Sequence, residues 1–131
     1  MMRVQSARFF VYAHDLNLSF RFYTEILGLQ VLDRVAGVTI LAAGTTEIEV
    51  LQERREEDAV LDRRTGFILF VDDVEHAYAT VTAHQVVILT EPASHADGSR
   101  IFYIADPDGL PIGISSVPHP IPPVDWLLDE Q

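Results

Sequence analysis

Two glutamates, Glu47 and Glu49, stand two residues apart in Thr46–Leu51 (TEIEVL). In an extended strand that spacing puts both carboxylates on one face, where they could do acid–base work. A second acidic pair, Asp106 and Asp108, brackets Pro107 ahead of Gly109 in FYIADPDG. Pro presets φ and Gly tolerates positive φ, so this is a tight turn, and its aspartates are expected to bond their own backbone rather than a metal. His76 and His84 fall on one predicted helix, too far apart for an i,i+4 ligand pair, and His95 and His119 fall in loops; all are expected at the surface. There is no cysteine, which excludes thiolate nucleophiles, disulfides and cysteine metal sites. All nine basic residues are arginine, so no lysine can serve as a base or form a Schiff base. No G-x-S-x-G elbow, G-x-G-x-x-G fingerprint or P-loop occurs.

The chain has 131 residues, 48% of them hydrophobic, which is enough for one domain with its own core. No apolar run approaches the roughly 20 residues of a membrane span. MMRVQSARFF carries no apolar signal region, and with no cysteine the expected compartment is the cytoplasm. The net charge of −11 disfavours nucleic acid as a partner and would favour a cationic ligand, beyond its plain contribution to solubility.

Positioning these residues requires two similar halves. Ala7–Ala13 reads as a strand. Asp15 can cap a helix on which Leu16, Phe20, Tyr23 and Leu27 share a face, and Gly28 suits its end. Leu29–Val35, Val38–Ala42 and Thr46–Leu51 read as strands, with turns at Gly37 and Gly44. The pattern restarts with strand Gly66–Val71 and an Asp73-capped helix carrying Val74, Ala77, Tyr78 and Val81 on one face. Strands Val86–Thr90, Arg100–Ala105 and Leu110–Ser115 follow. The halves superpose at an offset of about 57–59 residues. The expected organisation is a single α+β domain, β-α-β-β-β twice: module 1 at 7–52, a charged linker at 53–65, module 2 at 66–116 and a proline-rich tail at 117–131. The tail's Trp126, Leu127 and Leu128 are expected to dock on the domain itself.

Three stretches, DLNLSFRFYTEILGL, GFILFVDDV and FYIADPDG before a final strand, together resemble the vicinal oxygen chelate superfamily, which includes glyoxalase I, extradiol dioxygenases, fosfomycin-modifying enzymes and bleomycin-resistance proteins. The resemblance implies paired modules forming a curved mixed sheet around a central cavity, often in a homodimer. It also implies four ligand positions in metal-dependent members. One lies seven residues before the first helix-cap Asp and is Arg8 here; the second is Glu49; the third, after the Gly opening module 2, is Phe67; the fourth, in the strand after the DPDG turn, is Gly113. Only Glu49 can bind a metal, and a catalytic divalent site needs three or four protein ligands. No metal and no cofactor is therefore expected. An Arg8–Glu49 ion pair is expected instead, with Phe67 adding apolar bulk and Gly113 adding room.

If position 8 faces the cavity, strand alternation adds Phe10 and Tyr12, then Glu47 and Leu51 beside Glu49, then Leu69 and Val71 beside Phe67. The expected ligand-binding residues are Arg8, Phe10, Tyr12, Glu47, Glu49, Phe67, Leu69 and Gly113, an aromatic and apolar surface with a few polar groups. The expected function is metal-independent binding of a small aromatic or cationic molecule, as in bleomycin-resistance proteins, by a homodimer with no nucleic-acid or membrane partner. A glyoxalase-like lyase or isomerase, or a dioxygenase with a non-standard metal site, is the alternative; a non-catalytic dimeric interaction module is a third reading.

Overall fold

The two Asp caps act as the sequence chemistry requires. The computed structural model describes residues 3–53, 66–96 and 98–116. In it, Asp15 accepts from the Leu18 amide at 3.1 Å and Asp73 from the His76 amide at 3.0 Å. Each satisfies an amide that the first helical turn leaves without a carbonyl. Module 1 comprises β1 (Arg8–Ala13), α1 (Leu16–Arg21), β2 (Gln30–Val35), β3 (Val38–Ala43) and β4 (Thr46–Gln52). Module 2 comprises β5 (Phe67–Val71), α2 (Val74–Ala83), β6 (Val87–Ser94), β7 (Arg100–Ala105) and β8 (Pro111–Ser116). The expected mixed sheet is built as two four-stranded sheets of matching topology, β1-β4-β3-β2 and β5-β8-β7-β6. In each, the first strand pairs parallel with the last, and the other pairs are antiparallel.

Two elements depart from the expected boundaries. Helix α1 passes into a π-turn over Phe22–Ile26, closed by the Leu27 amide donating to the Phe22 carbonyl at 3.0 Å. Phe22 and Tyr23 are both buried there. Strand β6 runs past Thr90 to Ser94 through Pro92. An edge strand tolerates a residue without an amide hydrogen, and its pairing with β7 shifts register on either side of Thr90. The charged linker beyond Glu53 and the tail from 117 onward lie outside the described residues.

One core joins the modules. Val11, Ala13, Leu41, Ile48 and Val50 of the first sheet share it with Phe102, Ile104, Ile112 and Ile114 of the second, with Tyr23, Val74 and Val81 from the helices. No described helix is long and apolar enough to cross a membrane.

The DPDG turn fastens this junction. Asp106 does bond its own backbone: Oδ1 accepts from the Asp108 and Leu110 amides at 2.9 and 2.8 Å. Its Oδ2 also accepts from the fully buried Tyr23 hydroxyl at 2.7 Å, across 83 residues of sequence. Asp108 accepts from the His14 amide at 3.0 Å and the Ser19 hydroxyl at 3.4 Å. The turn therefore ties module 2 to the strand end and helix of module 1.

Burial raises the Asp106 carboxyl above the usual Asp range, against the hydrogen bonds from Tyr23, Leu110 and Asp108 that favour its charged form. A raised pKa means that the folded state holds the proton more tightly than the unfolded chain, so this contribution to stability is complete below the unfolded pKa, about 3.9. It is lost as pH rises through the folded value. Unfolding free energies of the wild type and Asp106→Asn, measured from pH 3 upward, should show the wild type losing stability relative to the variant across that window. A difference that is flat or grows with pH would contradict this sign.

Candidate functional site

Alternation along β1 sends Val11 and Ala13 into the core and leaves Arg8, Phe10 and Tyr12 on the opposite, open face. In β4, Ile48 and Val50 go inward, and Glu47 and Glu49 share the open face. Parallel pairing sets Arg8 opposite Glu47 and Phe10 opposite Glu49. Arg8 reaches both carboxylates. Its Nε and Nη2 donate to Glu47 Oε1 at 2.9 and 2.6 Å, and its Nη1 donates to Glu49 Oε1 at 3.1 Å. The expected partner Glu49 is thus joined by Glu47. The hydrogen bond to Glu47 is foremost in raising the Arg8 pKa above its ordinary value; Glu49 adds to it, and partial desolvation opposes both. The three formal charges sum to −1. Phe10 and Tyr12 meet edge-to-face beside them, ring centroids 5.8 Å apart, and Phe10 is 60% exposed.

Module 2 requires a correction. Phe67 and Leu69 do not join Arg8 and the glutamates. They pack against the core, as does Val71, and Phe67 stacks on Phe9 at 6.5 Å. The open face of β5 carries Ile68 and Phe70, 44% and 58% exposed. FILFV is apolar at every position, so alternation gave no phase for this strand. A signal was present in the repeat: the seven-residue count that leads from Asp15 back to Arg8 leads from Asp73 back to Gly66, not Phe67.

Gly113 lies on the open face, but it supplies no room. It sits between Ile68 of β5 and Tyr103 of β7 in the strand register. A Cβ at position 113 would lie 2.9 Å from Tyr103 Cε1, 3.1 Å from Ile68 Cγ1 and 3.2 Å from Ile101 Cδ1. At Gly66, a Cβ would lie 2.5 Å from the Pro111 carbonyl oxygen. Tyr103, Ile101, Ile68 and Phe70 gather around Gly113 or line the pocket beside it, and sequence reasoning did not bring them together.

These residues do not fit a divalent metal. Glu47 and Glu49 each give one oxygen to the Arg8 guanidinium, and two carboxylates fall short of the three or four protein ligands that a divalent site needs. Position 113 has no space for a longer side chain while Tyr103 and Ile68 stay in place. Among the described residues, no three His, Cys, Asp or Glu side chains gather where they could hold an ion.

Comparison with known proteins agrees with this architecture. A 109-residue match, 30% identical, links the chain to the uncharacterized protein YwbC of Bacillus subtilis, covering 76% of this chain and 86% of that one. Among solved structures, an integron cassette protein from the mobile metagenome of V. cholerae superposes with a TM-score of 0.68 at 25% identity, covering 88% of this chain and 97% of that chain. A lactoylglutathione lyase from Agrobacterium tumefaciens shares the fold, with a TM-score of 0.68 at 19% identity, covering 87% and 95% respectively. The family model that describes the Glyoxalase/Bleomycin resistance protein/Dioxygenase superfamily matches residues 5–114, and the chain belongs to that superfamily.

Proposed function

We propose that this protein binds a small aromatic or cationic molecule on its open face without a metal, in the manner of a sequestering protein. The observation that carries this reading is the Arg8–Glu47–Glu49 cluster. Its net charge of −1 stands beside exposed aromatic rings, and each of its carboxylates holds the arginine through one oxygen. A largely apolar surface with a few convergent polar groups is the usual make-up of a small-molecule site. Such a protein would work in the cytoplasm as a homodimer. Phe9, Phe10, Ile68 and Phe70 are exposed large apolar groups of the kind that a second copy or a ligand covers.

The test is elemental analysis of protein purified without chelator, with melting curves in added Ni²⁺, Zn²⁺, Mn²⁺ and Fe²⁺. A metal present at a hundred times its Kd would stabilise the fold by about 2.7 kcal/mol. The expected result is no stoichiometric metal and no such stabilisation, in the wild type and in Glu49→Gln alike. Stoichiometric metal that Glu49→Gln releases would sink the metal-free reading and turn attention to lyase, isomerase and dioxygenase substrates.

A further inference from the structure

The open face of module 2 carries a pocket of about 280 Å³, lined by Ile68, Phe70, Ile101 and Tyr103, with His95, Ser99 and Ser115 among its polar groups. Its hydrocarbon and aromatic walls favour an apolar group. Its volume falls just below the roughly 300–1,000 Å³ of sites that take whole drug-sized ligands, so it suits one ring system rather than a larger molecule. Gly113 is what lets Ile68, Ile101 and the Tyr103 ring converge on one point, since any side chain there would force them apart.

This pocket and the carboxylate cluster of module 1 lie on open faces whose strands β5 and β1 meet at one seam. Phe9 of β1 and Phe67 of β5 stack across the seam between the modules. Their neighbours in sequence, Arg8 and Phe10 on one side and Ile68 on the other, point to the opposite, open face. A molecule lying across this seam meets an apolar pocket at one end and a cluster of net charge −1 at the other. Arg8 is the one basic residue in that cluster, and both glutamates already hold it. Each carboxylate keeps an oxygen, Oε2, that Arg8 does not use.

Resting on the small-molecule reading above, we infer that the ligand is an amphipathic amine with two distinct ends: a single ring system seated among Ile68, Phe70, Ile101 and Tyr103, and a protonated amine directed at Glu47 and Glu49. The pocket supplies the hydrophobic contribution, which is indifferent to charge. The glutamates supply selectivity for a cation.

Three indole probes of matched size separate these contributions: tryptamine (cationic), 3-ethylindole (neutral) and indole-3-propionate (anionic). Binding is measured by calorimetry on the full chain at low salt. Tryptamine should bind about tenfold more tightly than 3-ethylindole, with the anion weakest. Glu49→Gln, which makes the cluster neutral, should bring tryptamine close to 3-ethylindole and leave 3-ethylindole unchanged. Phe70→Ala, at an exposed position, should weaken both by a similar factor of about five. Melting curves establish that both variants fold. Saturable binding in which the neutral or anionic probe equals or exceeds the amine overturns the two-ended assignment and leaves the small-molecule reading standing. So does loss of affinity in Glu49→Gln alone, with no effect of Phe70→Ala. Absence of saturable binding by all three probes overturns both.

Discussion

Replacing Asp106 by Ala should destabilise the protein by about 3 kcal/mol, lowering its melting temperature by about 10 °C. The carboxylate accepts from three donors, and two of these, the Tyr23 hydroxyl and the Leu110 amide, belong to buried residues. Alanine removes the acceptor that these donors share in a place water does not readily reach, and a buried hydrogen bond lost in this way costs about 1–3 kcal/mol. Release from burial of the charge itself returns part of this, so the expected net is below the sum. Tyr23→Phe removes one of the three hydrogen bonds and keeps the turn's own two, so about 1–2 kcal/mol is expected. The double variant should lose less than the two single changes added together, because each already breaks the Tyr23–Asp106 bond. Chemical denaturation of the four proteins gives all the terms. If Asp106→Ala cost under about 1 kcal/mol, or if the two changes were additive, the turn would not be the fastening between the modules.

That fastening marks the limit of what the sequence discloses. The Asp15 and Asp73 caps were legible because their chemistry is local: a side-chain oxygen meets an amide three residues on. The repeat was legible because helical and strand periodicities return in the same order. The DPDG turn was legible as a turn for the same local reason. Its second role was not, because the partners of Asp106 and Asp108 in module 1 lie 83 to 94 residues away.

The site divides in the same way. On β4, charged residues alternate with apolar ones, so the sequence sets Glu47 and Glu49 on one face; on β1 the family resemblance supplied the face of Arg8, and strand alternation then placed Phe10 and Tyr12 with it. On β5 every residue is apolar, and the face had to be taken from a ligand position displaced by one residue. A one-residue slip in a strand exchanges its two faces. That is how Phe67 and Leu69 came to stand where Ile68 and Phe70 belong. Gly113 was visible as an oddity, but its cause lies on the neighbouring strands β5 and β7, which pairing alone reveals.

Gly113→Ala should therefore be a destabilising change, although alanine ordinarily improves a strand interior over glycine by about 0.5–1 kcal/mol. The added methyl would meet Tyr103 at 2.9 Å, with Ile68 and Ile101 at 3.1 and 3.2 Å, so at least one of them must move. Overpacking of this kind costs about 1–3 kcal/mol, and a net loss of about 1–2 kcal/mol is expected. The Tyr103 ring is the closest of the three, so it is the group that must yield first. In a Tyr103→Ala background the same Gly113→Ala change should become neutral or stabilising, because the nearest contact is gone and the entropic advantage of alanine remains. Denaturation of the wild type, both single variants and the double variant gives this coupling. An unchanged cost of Gly113→Ala in the Tyr103→Ala background would assign the clash to Ile68 and Ile101, or to the backbone, and would remove Tyr103 as the reason for a glycine here. A sign reversal would show that the space a side chain at position 113 would need is taken in this protein by the neighbouring Tyr103 ring. A Gly113→Glu substitution would then have to displace that ring before its carboxylate could reach the open face.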